Sequence, residues 1–321
     1  MSSNYEKINY SLRPAKCIER KMLCETFRRL SIFGKVEAYS YIGFGAAFFS
    51  DFALFHKTLN ICNMTSIEKD VAKKDRFEFN CPFRCIEIKY GNSHEIIPKI
   101  NWDTRLILWL DYNSRLTKNV LLDINSFCAN AIPASLIIIS VNVEPEKNMN
   151  IPYDDNPNYR LEQLRKEVGG VRFPKDLRGK ELAKWGTAKV CRRIIYNEIM
   201  QTLNGRNGIR KKGNKFCYKQ LFNFHYSDNA KMLTTGGLLY DEGQEHLIDQ
   251  CAFNDLSFVR QNDEPYHIEV PSLTFKEIRH LNEQLPKKSG QKLVAPAVRP
   301  TDIDKYEKIY RYFPAFTEAN L

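Results

Sequence analysis

Short apolar runs alternate with amphipathic stretches through the first half of the chain. Five such runs are four or five residues long and stop at a glycine or a polar residue; they cover residues 38–42, 64–67, 85–88, 106–110 and 136–139. Short runs that are separated by helical segments are typical of parallel strands buried on both faces. The pattern therefore predicts an α/β fold built on a mostly parallel sheet.

Two amphipathic stretches flank the first of these strands. Residues 15–30 place apolar side chains near helical spacing among many charges, which predicts a leading helix. In residues 46–59 the helical spacing runs through Phe48, Phe52, Phe55 and Leu59. The chain is therefore expected to pass from strand to glycine turn to helix around residues 43–45.

The pattern changes after residue 143. A polar connection rich in Pro and Asn leads into a basic segment that reads as helical over residues 180–203. Residues 221–226 and 232–239 are β-patterned and flank Ser-Asp-Asn, a sequence that favours a tight turn. They predict an antiparallel hairpin.

The chain divides into three parts on these patterns. A helical lead-in covers residues 1–37, the α/β domain covers 38–245 with a basic insertion at about 144–215, and an extension covers 246–321. In the extension, Thr274 and Glu277 have the spacing of a capping box, which predicts a helix over residues 274–285. A second helical pattern lies around residues 302–312.

The net charge of +10 is concentrated in one segment. Residues 160–215 carry 16 Lys and Arg against 5 Asp and Glu, whereas the rest of the chain is close to neutral. A basic segment of this kind is either a solvated helical face with a loop or a contact surface for a polyanion. Nucleic-acid contact would use Arg192, Arg193, Arg206, Arg210, Lys211, Lys212 and Lys215, with Trp185, Tyr196 and Phe216 interleaved for stacking.

The nine cysteines are scattered, without the spacing of a disulfide framework or a Cys-x-x-Cys pair. The six histidines are not at ligand spacing from one another either, so the sequence predicts free thiols and no bound metal. No apolar run approaches the roughly 18 to 20 residues of a membrane span, and the start does not read as a signal peptide. We therefore expect a cytoplasmic protein.

A glycine pair follows the first strand, as Gly43-Phe44-Gly45. Glycines at this place let backbone amides and a helix N-terminus approach the polar groups of a nucleotide. Glu68 ends the second strand 23 residues after Gly45, close to the interval of about 20 residues at which an acid meets ribose hydroxyls. Alone, the glycines could be a plain turn and Glu68 a solvated charge; together they favour a nucleotide site.

From about residue 40 to 240 the order of elements resembles the class I S-adenosylmethionine-dependent methyltransferases, in which five parallel strands are followed by an antiparallel hairpin. Residues 41–68 and the sequence Trp-Leu-Asp-Tyr at 109–112 are also similar to bacterial proteins described as O-methyltransferases. The resemblance implies a Rossmann-like methyltransferase fold and S-adenosylmethionine as cofactor. The third glycine of dinucleotide-binding dehydrogenases is missing, since Phe48 stands there.

The resemblance also implies roles for residues at the strand ends. The glycine turn lines the methionine and ribose parts of the cofactor, Glu68 takes the ribose hydroxyls, and Asn92 or Ser93 lies beside the adenine. The full set of expected cofactor-binding residues is Gly43, Phe44, Gly45, Glu68, Lys69, Asn92, Ser93 and Asp111. Further candidates for cofactor contact are Asp51 and His56, for which a solvated helix face is the favoured alternative, and Arg13 and Lys16, for which the alternative is an ordinary basic face.

Asp111 and Tyr112 are the catalytic candidates, because the family places the residues that face cofactor and acceptor at the end of the fourth strand. Methyltransferases that act on base amino groups carry two prolines here, which this chain lacks. Asp111 is thus a general base, a ligand for a divalent metal or a cap on the next helix. The alternative to an enzyme is a noncatalytic cofactor-binding sensor or assembly module, for instance in antiviral defence.

Overall fold

The computed structural model describes residues 13–145 and 157–314. Its helices and strands follow one another as α1 (Pro14–Arg28), β1 (Ser40–Gly43), α2 (Ser50–Leu59), β2 (Asn63–Glu68), α3 (Lys74–Asn80), β3 (Ile86–Tyr90), α4 (Ser93–Ile96), β4 (Leu106–Asp111), α5 (Lys118–Asn130), β5 (Ser135–Asn142), α6 (Pro157–Val168), α7 (Gly186–Asn207), β6 (Phe216–Ser227), β7 (Lys231–Asp241), α8 (Glu245–Gln250), β8 (Tyr266–Ile268), α9 (Phe275–Asn282) and α10 (Pro300–Ile309). No helix of these two ranges is long and apolar enough to cross a lipid bilayer.

Eight strands form one sheet in the order β3-β2-β1-β4-β5-β7-β6-β8. The first five pair in parallel, and β7 runs antiparallel to both β5 and β6. The strand order reverses between β1 and β4, and open α/β sheets bind ligands at such a point, in the crevice outside the carboxyl ends of the strands. The predicted Rossmann-like fold with its C-terminal antiparallel hairpin is confirmed.

Alternate side chains of each central strand enter cores on opposite faces of the sheet, as the two-residue period of a strand requires. Tyr41 and Trp109 pack with α1 and α2 on one face, whereas Ile42 and Leu108 pack with α5 and α7 on the other. Both faces are therefore covered by helices, and the polar side chains gather at the strand ends.

The helix after the glycine turn starts later than the sequence pattern predicts. Ala46 and Phe49 have left-handed backbone conformations, with φ of 48° and 46°, so α2 begins only at Ser50. Phe52 and Phe55 are buried as expected, but Phe48 is 38% exposed and lies outside the apolar stripe. The prediction of a helix over residues 46–49 is wrong because packing around the turn, not local spacing, sets the backbone there.

The basic segment contains a helix that covers the sheet. Helix α7 buries Ile194, Ile195 and Ile199 in the same core as α5, so its apolar stripe packs inward, while Lys189 and Arg193 face outward. It begins at Gly186, six residues after the predicted start, and a 3-10 turn at Gly179–Leu182 precedes it.

After α8, the described part of the extension adds one strand and two further helices. Strand β8 pairs in parallel with β6; it has three residues, too few to give a sequence pattern. Thr274 caps α9 through the predicted capping box with Glu277, and α10 packs against it in a small separate core. Both predicted helices of the extension are present, and each ends about three residues early.

Candidate functional site

The glycine turn lies at the point where the strand order reverses. The backbone N–H of Gly45 donates to Ser66 Oγ on the neighbouring strand, at 2.8 Å. A Cβ on Gly45 would lie 2.4 Å from the ring of Phe49 and 2.8 Å from Ser66 Oγ, so the turn closes only around a glycine. The turn thus holds backbone amides against the end of β2.

Glu68 is joined to that turn directly. Its Oε1 accepts hydrogen bonds from the Ala46 backbone N–H at 2.9 Å and from Ser66 Oγ at 2.7 Å. Burial raises the pKa of Glu68 to about 7, although the bonds from Ser66 and Ala46 work in the opposite direction. The structure therefore brings the glycine turn and the acid together, as the sequence predicts, and gives the acid a titration near neutral pH.

A third group of side chains lies beyond β3 and β4. Ser93 Oγ is 3.0 Å from the Tyr112 hydroxyl, and both donate to Asp123 Oδ2. The ring of Phe44 meets that of Tyr112 edge to face, with centroids 5.0 Å apart. Ser93, Phe44 and Tyr112 therefore form one wall of the crevice.

Tyr112 acts in this wall as a hydrogen-bond donor. Burial and the adjacent Asp123 carboxylate raise the pKa of Tyr112 well above its ordinary value, so its hydroxyl keeps the proton that it gives to Asp123. The other two predicted cofactor-binding residues are the sequence neighbours of Ser93 and Glu68. Asn92 is the N-cap residue of α4, and its side-chain amide donates to Glu95 Oε2 at 3.3 Å. Lys69 is exposed just after β2.

Asp111 ends β4 and forms an ion pair with the first helix. Its Oδ1 lies 2.6 Å from Lys16 Nζ, which is also 2.6 Å from Glu19 Oε2 and 3.1 Å from the Tyr226 hydroxyl. The Lys16 side chain is 1% exposed and that of Asp111 is 20% exposed. Asp111 is therefore the member of this cluster that retains access to the crevice.

The cluster changes the interpretation of Asp111. Burial alone would lower the pKa of Lys16, but Asp111 and Glu19 outweigh that effect and raise it above its ordinary value, so Lys16 is a fixed cation. An ammonium group thus already stands where a metal bound by Asp111 would be expected. The helix-cap interpretation is wrong, because α5 begins at Lys118 with Thr117 as its N-cap.

The remaining cofactor-contact candidates are Arg13, Asp51 and His56. Arg13 pairs with Asp228 at 3.4 Å, at the turn of the β6–β7 hairpin. Asp51 is buried and accepts a hydrogen bond from the Tyr41 hydroxyl, so its expected place on a solvated helix face is wrong. His56 lies near the far end of α2, away from the glycine turn.

Four of the seven basic residues proposed for polyanion contact bind groups of the protein itself. Arg192 donates to Gln220 and Asp263, Arg193 to Asp176, Arg206 to the carbonyls of Cys128 and Ala131, and Arg210 to the carbonyl of Asn214. Arg206 and Arg210 also stack on Phe216, and Trp185 stacks on His225. Lys211, Lys212 and Lys215 are exposed in the segment between α7 and β6.

Sequence reasoning missed Ser66, Glu19 and Asp123. Glu19 lies on the buried face of α1 between Ile18 and Met22, and Asp123 lies on the buried face of α5. A buried carboxylate needs a partner, so an acid on the apolar stripe of a predicted helix is a usable signal. Ser66 gave no such signal, because its role depends on the pairing of β1 with β2.

The chain matches, over residues 8–321, the model of a family described as "Putative O-methyltransferase". No curated protein matches the chain. The match covers the lead-in, the sheet and the extension alike.

Several solved structures are similar in fold. The O-methyltransferase TomG from Streptomyces achromogenes, involved in tomaymycin synthesis and solved with SAM, is 11% identical with a TM-score of 0.35, covering 67% of this chain and 79% of TomG. Trm1 from Pyrococcus horikoshii with S-adenosyl-L-methionine is 9% identical with a TM-score of 0.46, covering 78% and 64%. An O-methyltransferase from Klebsiella pneumoniae, titled putative, is 9% identical with a TM-score of 0.35, covering 70% and 90%.

Proposed function

The chain belongs to the O-methyltransferase family whose model it matches, and on that premise we propose that it is an S-adenosylmethionine-dependent methyltransferase. The cofactor would lie across the carboxyl ends of β1, β2, β3 and β4. Its acceptor would be an oxygen or nitrogen atom of an anionic molecule.

One observation carries the proposal: the glycine turn, the buried acid and the aromatic wall meet at one crevice. The turn and Glu68 share hydrogen bonds through Ala46 and Ser66. A carboxylate at the end of β2 suits two ribose hydroxyls, and Phe44 with Ser93 offers an apolar face and a polar group for an adenine. These residues fit an adenosyl group, and the clash of a Cβ on Gly45 shows how closely the turn is packed.

The cofactor supplies an activated methyl group on its sulfonium. The protein must place the acceptor in line with that methyl and exclude water. Such a transfer does not require a catalytic triad. Asp111, held by Lys16 and partly exposed, is the group that would take the proton of a hydroxyl acceptor. The fixed charge of Lys16 keeps this carboxylate in one orientation.

Binding of S-adenosylhomocysteine is expected to weaken as the pH falls below about 7. Ribose hydroxyls donate to the ionised form of Glu68, whose pKa in the free protein is raised to about 7, so binding at lower pH must first expel a proton. The affinity should fall about tenfold per pH unit there. Isothermal titration calorimetry between about pH 5.5 and pH 8.5 measures this slope.

Glu68→Gln is the matched variant for this experiment. It should bind at least about tenfold more weakly at high pH, since a charged hydrogen bond is worth about 1.5–3 kcal/mol, and its affinity should not depend on pH. Glu37→Gln, at an exposed position, should behave as the unaltered protein. Equal affinity of Glu68→Gln and the unaltered chain would remove Glu68 from the cofactor site.

The noncatalytic sensor remains a second candidate because Asp111 already has a buried partner in Lys16. A methyltransferase transfers label from radioactive S-adenosylmethionine to a component of a cell extract, whereas a sensor binds the cofactor and labels nothing. A nucleic-acid-binding module without a cofactor would give no calorimetric signal with S-adenosylmethionine or with S-adenosylhomocysteine.

An anionic acceptor is proposed from the charge of residues 160–215. Because four of its arginines are bound within the protein, the exposed Lys211, Lys212 and Lys215 are the residues expected to contact a polyanion. Replacing all three with Ala should weaken binding to a short RNA or DNA and reduce the slope of log affinity against log salt by about 2 to 3. Fluorescence anisotropy at several salt concentrations measures both.

The control replaces three exposed lysines of the extension, Lys276, Lys288 and Lys292, with Ala. That variant loses the same three positive charges, so it should retain the nucleic-acid affinity of the unaltered chain if the segment before β6 forms the contact. Arg206→Ala should act differently, by lowering stability, because Arg206 donates to two carbonyls and stacks on Phe216. Equal affinity of both triple variants would mean that the lysines only solubilise the surface.

A further inference from the structure

Three side chains with metal-binding atoms meet at the amino ends of β2 and β3, on the side of the sheet away from the carboxyl-end crevice. His56 lies near the end of α2, Cys62 directly precedes β2 and Cys85 directly precedes β3. His56 Nδ1 is 3.8 Å from Cys62 Sγ and 3.6 Å from Cys85 Sγ. All three atoms lie within 4.8 Å of one another.

The local fold explains this convergence. Asn60 has a left-handed backbone with φ of 56°, and its N–H caps α2 on the His56 carbonyl at 3.0 Å. The chain turns sharply there, which returns Cys62 to the side of His56. Since Met64 of β2 pairs with Ile86 of β3, the residues before the two strands are neighbours as well. The convergence is therefore built from the helix cap and the strand register.

The distances match those of tetrahedral coordination. Zinc with a Zn–S length of about 2.3 Å and a Zn–N length of about 2.0 Å places nitrogen and sulfur ligands about 3.5 Å apart. The two separations between His56 Nδ1 and the sulfurs, 3.6 and 3.8 Å, are close to that value. A disulfide between Cys62 and Cys85 would not account for the approach of His56 Nδ1 to both sulfurs.

Cys81, in the segment that leads to Cys85, is the candidate for a fourth donor. Cys81 is partly buried and stands four residues before Cys85, outside the set of three atoms that lie within 4.8 Å of one another. Its Sγ is 3.6 Å from the Phe83 carbonyl, and the Phe83 ring packs on the His56 ring with centroids 4.5 Å apart. One histidine and three cysteines are the ligand set of a closed structural zinc site.

We propose that His56, Cys62, Cys81 and Cys85 bind one zinc ion, which ties the end of α2 to the starts of β2 and β3. Each cysteine binds as a thiolate and releases its proton to solvent, and His56 binds through Nδ1 with its own proton on Nε2. His56 Nδ1 also lies 2.9 Å from the Ile61 carbonyl oxygen. This contact must break for the lone pair of Nδ1 to bind the metal. From His56 to Cys62, Cys81 and Cys85 the ligands stand 6, 19 and 4 residues apart along the chain, which is not the spacing of a known metal motif.

The test measures metal in the full-length chain purified without chelator. We expect about one zinc per chain, and cobalt added to the stripped protein should give the intense bands of tetrahedral thiolate coordination. Cys62→Ser and Cys85→Ser should each lower the zinc affinity at least about tenfold and weaken the thiolate-to-cobalt bands, as should Cys81→Ser. Cys217→Ser, at a partly buried cysteine of β6, is the matched control and should retain both.

Chelation should also lower the melting temperature of the unaltered chain by several degrees, but not that of Cys85→Ser, because a metal stabilises only the fold that it binds. Cobalt spectra without thiolate bands would overturn the site. So would a Cys62–Cys85 disulfide in the untreated protein, detected as a mass lower by two hydrogen atoms. Unchanged cobalt spectra of Cys81→Ser would reject the fourth ligand. None of these measurements depends on methyl transfer, so the site and the proposed activity fail independently.

Discussion

Replacing Gly45 with Ala is expected to abolish cofactor binding and to lower the free energy of unfolding by about 1–3 kcal/mol, as overpacking of a closed core does. The added Cβ would lie 2.4 Å from the Phe49 ring and 2.8 Å from Ser66 Oγ. Phe49 cannot move aside easily, because it is fully buried and its own backbone is left-handed. The turn must therefore shift, and the amide of Ala46 loses its place beside Glu68.

Urea unfolding and calorimetry with S-adenosylhomocysteine measure the two effects. Gly205→Ala in α7 is the matched control, because its Cβ would meet nothing within 4 Å. Removing a helical glycine there should stabilise the protein by about 0.4–1 kcal/mol and leave binding unchanged. If Gly45→Ala bound the cofactor as the unaltered chain does, the turn would not be part of the site.

The elements that the sequence predicts well are those whose signal is local. The five parallel strands and the β6–β7 hairpin are each marked by a run of apolar residues and a turn sequence, and all of them are present in the predicted order along the chain. The backbone of residues 46–49 shows the limit of this reasoning. Its left-handed residues are fixed by the packing of Phe49 against Gly45, which no spacing along the chain records.

The same limit applies to the candidate site. Residues at the ends of parallel strands must be neighbours, and this alone brings Gly45, Glu68 and Asp111 to one crevice. The partners of these residues come from outside the strands. Lys16 reaches Asp111 from α1, and Asp123 reaches Tyr112 from α5. Such pairings depend on how the helices pack on the sheet. The spacing of residues along the sequence does not indicate that packing.

Replacing Lys16 with Met is expected to lower the free energy of unfolding by about 3–5 kcal/mol at neutral pH, because it leaves the buried Glu19 and the partly exposed Asp111 without their cation. Glu19 is fully buried, and burial already raises its pKa, with Lys16 opposing that effect. Without Lys16 the pKa of Glu19 should rise further. An acid with a raised folded-state pKa favours the protonated fold, so the stability deficit should shrink as the pH falls towards the ordinary range of a carboxyl group.

Urea unfolding of Lys16→Met at several pH values tests this, with Lys118→Met at an exposed position as the control. Adding Glu19→Gln to Lys16→Met should recover much of the loss, because a neutral side chain replaces the unpaired charge. A deficit that stays constant across pH would mean that the lost contact of the Lys16 ammonium with the Trp109 ring, rather than an unpaired carboxylate, accounts for it. The double variant also separates stability from function, since it restores the fold while leaving Asp111 without the ammonium that orients it, so methyl transfer should remain impaired in a well-folded protein.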